Sequence, residues 1–197
     1  MSKADLAVGG LVPFTTIDFP GRLAAVVFCQ GCPWNCFYCH NQHLLPPGSG
    51  QIPWRDVLSF LEPRQGLLEG VVFSGGEPLL QRGLTAALKD VRNLGYATAL
   101  HTAGIYPDRL AEALPLLDWV GFDVKAPFDE YAPIVGCQGG TSARAALELL
   151  KTSGVPHQLR CTLPPSKDAE WLQRLEAGLS TMGYGTPSYQ ECRIAVP

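Results

Sequence analysis

Six times along the chain, a short apolar run rich in β-branched residues precedes an amphipathic stretch or the chain's end. The runs are LAAVVFC (Leu23 to Cys29), VVFSGG (Val71 to Gly76), YATALHTAG (Tyr96 to Gly104), WVGFDVKAP (Trp119 to Pro127), HQLRCTLPP (His157 to Pro165) and SYQECRIAV (Ser188 to Val196). Runs this short and this apolar read as strands buried on both faces. The intervening patterns predict helices over Trp54–Leu61 with Pro53 leading in, over Gln81–Asn93 with Gly95 as terminator, and over Pro107–Leu117. Two more are predicted, one over the TSARAALELLKTS stretch with Thr141 or Ser142 as cap and Gly154 as stop, and one over Asp168–Leu179. Alternation of this kind specifies an α/β fold, a parallel sheet covered by helices, either doubly wound or an incomplete barrel. With 197 residues the chain is too short for the usual eight-unit barrel of about 250 residues. The reading is one domain over residues 1–197, with a short N-terminal extension covering about residues 1–20.

In both architectures ligands bind at the carboxyl ends of the strands. The chemistry-bearing residues fall there: four cysteines after the first strand, SGGEP after the second, HTAG at the end of the third and DVK closing the fourth. Composition narrows the partners. A formal net charge of −3 with no run of Lys and Arg offers nothing to attract nucleic acid. No apolar segment approaches the roughly 20 residues of a membrane span. The first residues, MSKADLAVGG, have no apolar core of a secretory signal, so a cytoplasmic location is expected. In that compartment clustered thiols point to metal binding or catalysis rather than disulfides.

FCQGCPWNCFYCHN carries Cys29, Cys32, Cys36 and Cys39. Three arrangements compete. Zinc held by all four thiolates is cramped, because the two pairs are only three residues apart, whereas structural zinc knuckles are usually well separated. A closed four-thiolate iron–sulfur cluster is a second arrangement, though its common spacings differ. In the third, Cys32, Cys36 and Cys39 hold three irons of a [4Fe–4S] cluster and leave the fourth iron open, while Cys29 ends the strand and points elsewhere. Phe28, Trp34, Phe37 and Tyr38 are placed to shield such a cluster from water. Cys137, Cys161 and Cys192 are scattered and read as small buried hydrophobes.

The C-x3-C-x2-C loop with Tyr38 before its last cysteine resembles the radical S-adenosylmethionine (SAM) enzymes. QGCPWNCFYCHN together with SGGEP and DVK is similar to the subset that activates glycyl-radical enzymes. The opening GLVPFTTIDFPGRLAAVVF resembles the anaerobic ribonucleoside-triphosphate reductase activating proteins, with pyruvate formate-lyase activases as near relatives. The resemblance implies a partial (β/α)6 barrel and an oxidoreductase that cleaves SAM reductively at a [4Fe–4S] cluster. It implies a radical placed on a glycine of a partner enzyme, here anaerobic ribonucleotide reductase, with reduced flavodoxin or ferredoxin as electron donor. Its metal ligands fall on Cys32, Cys36 and Cys39. Its SAM contacts fall on Tyr38, His40, Gly75, Gly76, Glu77, Asp123, Lys125 and Arg160. Many relatives have an acid where this chain has His101, a poor ligand for a hard cation. Three alternatives stand beside this reading: a pyruvate formate-lyase-type activase, a radical SAM enzyme acting on a small molecule, and a non-catalytic four-cysteine metal-binding module.

Overall fold

The computed structural model describes residues 5–192. All six expected strands form: β2 (Ala24–Cys29), β3 (Gly70–Gly75), β4 (Ala97–Thr102), β5 (Trp119–Asp123), β6 (His157–Leu163) and β7 (Ser188–Glu191). Residues 193–196, which the sequence reading assigns to the last strand, lie outside the described residues. The strands pair in parallel and in chain order from β2 to β7. A doubly wound sheet requires a point where strand order reverses. None occurs among the described strands, so the sheet winds one way into an open, partial barrel.

A seventh strand, β1 (Val8–Thr15), runs antiparallel to β2 at the sheet's edge, in a segment to which the sequence reading assigned no element. The reason is visible in its composition. VGGLVPFT shows no alternation, because two glycines, Pro13 and a register shift between Val12 and Thr15 break the period of two.

The five expected helices lie close to expectation, as α1 (Trp54–Leu61), α2 (Leu84–Asn93), α3 (Pro107–Ala113), α5 (Gly140–Ser153) and α6 (Ala169–Thr181), and a short α4 (Ala132–Val135) adds to them unexpected. The α6 cap is Asp168, whose carboxylate accepts from Trp171 N. In α5 the cap expectation fails. The helix begins a residue early with Gly139 at the cap, and Ser142 instead donates its hydroxyl to the Gly139 carbonyl. Gly154 does end the helix, at φ +71°.

Most of the core lies between the sheet's outer face and the helices, built from residues such as Val27, Phe73, Leu100, Phe122, Leu110 and Leu147. A second, smaller core fills the concave face with Phe19, Ala24, Val26, Val72, Ala99 and Trp119. Among the described residues no helix is long and apolar enough to cross a membrane.

Candidate functional site

One cleft opens at the carboxyl ends of the strands, and every expected site residue lines it: Cys32, Cys36, Tyr38, Cys39 and His40 from the loop after β2, Gly75, Gly76 and Glu77 after β3, and Asp123, Lys125 and Arg160 from β5 and β6. Cys29 does not. It is fully buried in the outer core at the end of β2, where desolvation pushes its thiol far above the ordinary range.

The cysteine loop is anchored at both ends and along its outer side. Gly31 N donates to Leu44 O at 2.7 Å and Cys32 N to Leu45 O at 3.0 Å. Asn35 N and Phe37 N donate to the Val135 and Ile134 carbonyls of α4. Trp34 is buried edge-on against Tyr131, at 5.7 Å between centroids, and a Cβ at Gly139 would strike its indole. Trp34 and Tyr38 therefore shield the thiols as expected; Phe37 does not, being 43% exposed. Cys137 is likewise exposed rather than buried.

Two observations test whether these residues fit a cluster. Among the described residues, no three or more Cys, His, Asp or Glu groups converge on a single metal ion. One zinc ion with bonds of about 2.3 Å to sulfur would need its thiolates nearly touching. Three thiols facing one cleft without meeting suit the separate corners of a larger iron–sulfur body, and an all-sulfur set suits iron–sulfur chemistry. Burial raises the Cys32 thiol to about 12 and also raises that of Cys36, so loading must displace protons. The residues fit the cluster, with Cys29 outside it.

SGGEP holds three strand ends together. Gly76 N donates to Cys29 O at 3.0 Å and Glu77 N to Gly31 O at 2.9 Å. The resemblance makes Gly75 and Gly76 SAM contacts, but the chain itself needs the space left by their missing Cβ atoms. A Cβ on Gly75 (φ +108°) would sit 2.6 Å from Cys29 N, and one on Gly76 would collide with the Gly31 carbonyl. Glu77 is buried, and its own chain occupies its oxygens. Oε1 accepts from Leu79 N (3.0 Å) and Thr102 Oγ1 (2.7 Å), and Oε2 from Ala103 N (3.1 Å). Burial nonetheless lifts the carboxyl to about 7, against these three bonds.

Across the cleft, Asp123 Oδ1 accepts from Arg160 Nε at 2.9 Å, and Oδ2 from Lys125 Nζ at 3.3 Å. Burial opposes the Asp123 charge, but Lys125 and then Arg160 outweigh it and hold the carboxyl at about 2. The Lys125 ammonium lies 5.8 Å from the Tyr38 ring centroid. Two cations facing one carboxylate leave a positive surplus at this wall, suited to a ligand carboxylate. His101 also reaches the cleft, yet both its nitrogens are engaged: Nε2 donates to Asp18 O at 2.8 Å, leaving Nδ1 to accept from Ser74 Oγ at 3.4 Å. Burial first, and then the Arg160 charge, lower its pKa.

Sequence reasoning missed part of the lining. Ile105, Thr162 and Gln190 face the cleft beside Thr102 and Ala103, which belong to the expected HTAG strand end. The end of the fifth expected strand held the signal for Thr162, whereas the SYQECRIAV run predicts a strand and no site residue.

The sequence pattern of the radical SAM superfamily matches residues 26–178. The chain belongs to this superfamily. With that membership come its two cofactors, a [4Fe–4S] cluster and SAM. Among curated proteins, one from Methanocaldococcus jannaschii named for glycyl-radical enzyme activation is 29% identical over 80% of this chain and 68% of its own length. The pyruvate formate-lyase-activating enzyme of Clostridium pasteurianum is 31% identical over 76% of this chain and 65% of its own. The chain thus spans about two thirds of the length of these relatives. In fold it resembles native anSMEcpe with bound AdoMet, at a TM-score of 0.68 and 19% identity, covering 83% of this chain and 49% of that one.

Proposed function

We propose that this chain is a radical SAM activase that places a glycyl radical on a partner enzyme. The observation that carries the proposal is the division of the cleft, with three thiols on one wall and a cationic surplus around Asp123 on the other. Cys32, Cys36 and Cys39 would hold the cluster, which supplies the electron for reductive cleavage of SAM. Lys125 and Arg160, oriented by the carboxylate they share, would receive the SAM carboxylate. Tyr38 and His40, beside the last cysteine, would border the nucleoside portion. Gly75, Gly76 and Glu77 would act through shape. They lock the cysteine loop against β3 and β4, and so keep the thiol wall at a set distance from the cationic wall.

Anaerobic ribonucleotide reductase is the partner we favour, because GLVPFTTIDFPGRLAAVVF resembles the opening of its activating proteins. Reduced flavodoxin or ferredoxin would supply electrons. The likeness to a pyruvate formate-lyase-activating enzyme supports the class without selecting the partner.

The test begins with anaerobic iron–sulfide reconstitution, then SAM and dithionite, with chromatographic measurement of 5′-deoxyadenosine. Product that disappears in Cys36→Ala supports SAM cleavage; no product from a four-iron protein refutes it. Incubation with anaerobic ribonucleotide reductase or pyruvate formate-lyase follows, read by the glycyl-radical signal in electron paramagnetic resonance. A signal with the lyase alone would reassign the partner.

A further inference from the structure

The cysteine loop leaves the sheet at Gln30 and returns past the same residue near Pro46. Its first two rungs are main-chain bonds, from Gly31 N to Leu44 O and from Cys32 N to Leu45 O. Beyond them the next donor in line, facing Pro46 O, is Pro33, and proline has no N–H with which to extend the ladder. The side chain of Gln30 substitutes for it. This amide is buried, lies outside the cleft lining, and donates from Nε2 to Pro46 O at 2.7 Å and to His43 O at 3.3 Å.

The main chain of Gln30 is tied as well. Its N–H donates to Ala7 O at 2.9 Å, and its carbonyl accepts from the Gln81 side-chain amide. Gln81 Oε1 in turn accepts from Ala7 N at 3.2 Å. β1 makes room for the arrangement, since a Cβ at Gly9 would lie 2.6 Å from Gln30 Oε1. Four segments of the chain therefore meet on one residue, two positions before Cys32.

We infer that Gln30 is a positioning residue for the metal-binding loop, closing the loop from behind so that Cys32 stays in place relative to Cys36 and Cys39. The inference rests on reading that loop as a cluster site. A buried amide with only a general structural role would change stability alone. A positioning amide changes how firmly the loop holds iron at a given stability.

The experiment compares reconstituted wild type, Gln30→Met and Leu150→Ala, the last being a fully buried α5 residue remote from the loop. Gln30→Met keeps the side-chain length and removes both donated bonds. Melting temperature, the rate of iron transfer to a chelator and the cluster's midpoint potential are read on all three. We expect Gln30→Met to release iron about tenfold faster than wild type, the effect of losing two ordinary hydrogen bonds. Its potential should shift, while Leu150→Ala releases iron at the wild-type rate despite a lower melting temperature. Release from Gln30→Met at the wild-type rate overturns the inference, and so does equal acceleration in Leu150→Ala. If Gln30→Met is insoluble, Gln30→Asn, whose amide falls one methylene short of its acceptors, is held to the same two outcomes. A wild-type chain that takes up no iron and sulfide overturns the cluster reading itself, and the inference with it.

Discussion

The concave face of the sheet has two halves built from the same strands. Toward the amino ends, Val26, Val72, Ala99 and Trp119 lie side by side in register. Phe19 stacks on Trp119 at 6.2 Å and closes this end of the barrel. Two residues further along each strand the same face carries Phe28, Ser74, His101 and Gly121, and beyond them Asp123 beside Arg160. Because side chains alternate with a period of two, two such steps carry this face from an apolar plug, through a mixed layer, to a charged cleft floor without changing the backbone. His101 forms the seam. Its edge meets Trp119 below at 5.7 Å, while its nitrogens hold Asp18 O and Ser74. The lower half should therefore govern stability, and the upper half chemistry.

The largest expected effect sharpens this division through the cysteines. Cys36→Ala should abolish both the four-iron cluster and 5′-deoxyadenosine formation. Cys29→Ala, on the opposite face of β2, should keep both at a cost of about 1 kcal/mol in stability. Iron analysis and chemical denaturation check the pair, and loss of all iron from Cys29→Ala would break the three-ligand assignment. In the lower half, Trp119→Ala should cost about 3–5 kcal/mol. Its affinity for SAM, measured below the shifted melting temperature, should remain near that of wild type. A large loss of affinity at retained fold would show that the two halves are not separable.

Glu77 is the next test, because it joins the strand ends above the seam. Each of its oxygens accepts a backbone N–H, from Leu79 or Ala103. Glu77→Gln must therefore set an amide N–H against one of those donors in either orientation, at about 1–3 kcal/mol. The pH dependence has a definite sign. The folded carboxyl is raised from 4.5 to about 7, so its protonated form is the one favoured by folding. That contribution is full below pH 4.5 and is lost as pH rises through about 7. The stability gap between wild type and Glu77→Gln should therefore narrow from pH 5 to pH 8, which thermal denaturation at the two values will show.

Much of the upper half was legible because its residues cluster locally, just after apolar runs. CPWNCFYC, GGEP and DVK each lie within one loop or strand end, and the strand-end rule places them together. The lower half was not legible. Phe19 reaches Trp119 across 100 positions of sequence, and nothing in TTIDFPGR marks that phenylalanine as a plug. The satisfaction of Glu77 by Thr102 and Ala103 was equally invisible, since the partners belong to another strand's end. The sequence could place Glu77 at the site, but whether its oxygens faced a ligand or its own chain depended on contacts 25 and 26 residues away.

The smallest effect addresses the seam. Since His101 Nε2 donates to a carbonyl, Nδ1 is left as an acceptor, and Ser74 Oγ at 3.4 Å is its long, weak donor. Ser74→Ala removes that donor and leaves the stronger Asp18 bond and the Trp119 contact to hold the ring. The cost should be about 0.5–1 kcal/mol, at the low end for a single hydrogen bond. Nδ1 would then have no partner. Because the bond is made to a ring nitrogen that takes part in the His101 protonation, the His101 titration, followed by nuclear magnetic resonance, should move more than the melting temperature does. If instead stability falls by several kcal/mol while the titration is unmoved, Ser74 belongs to the plug, and the boundary between the two halves lies one layer higher than the register implies.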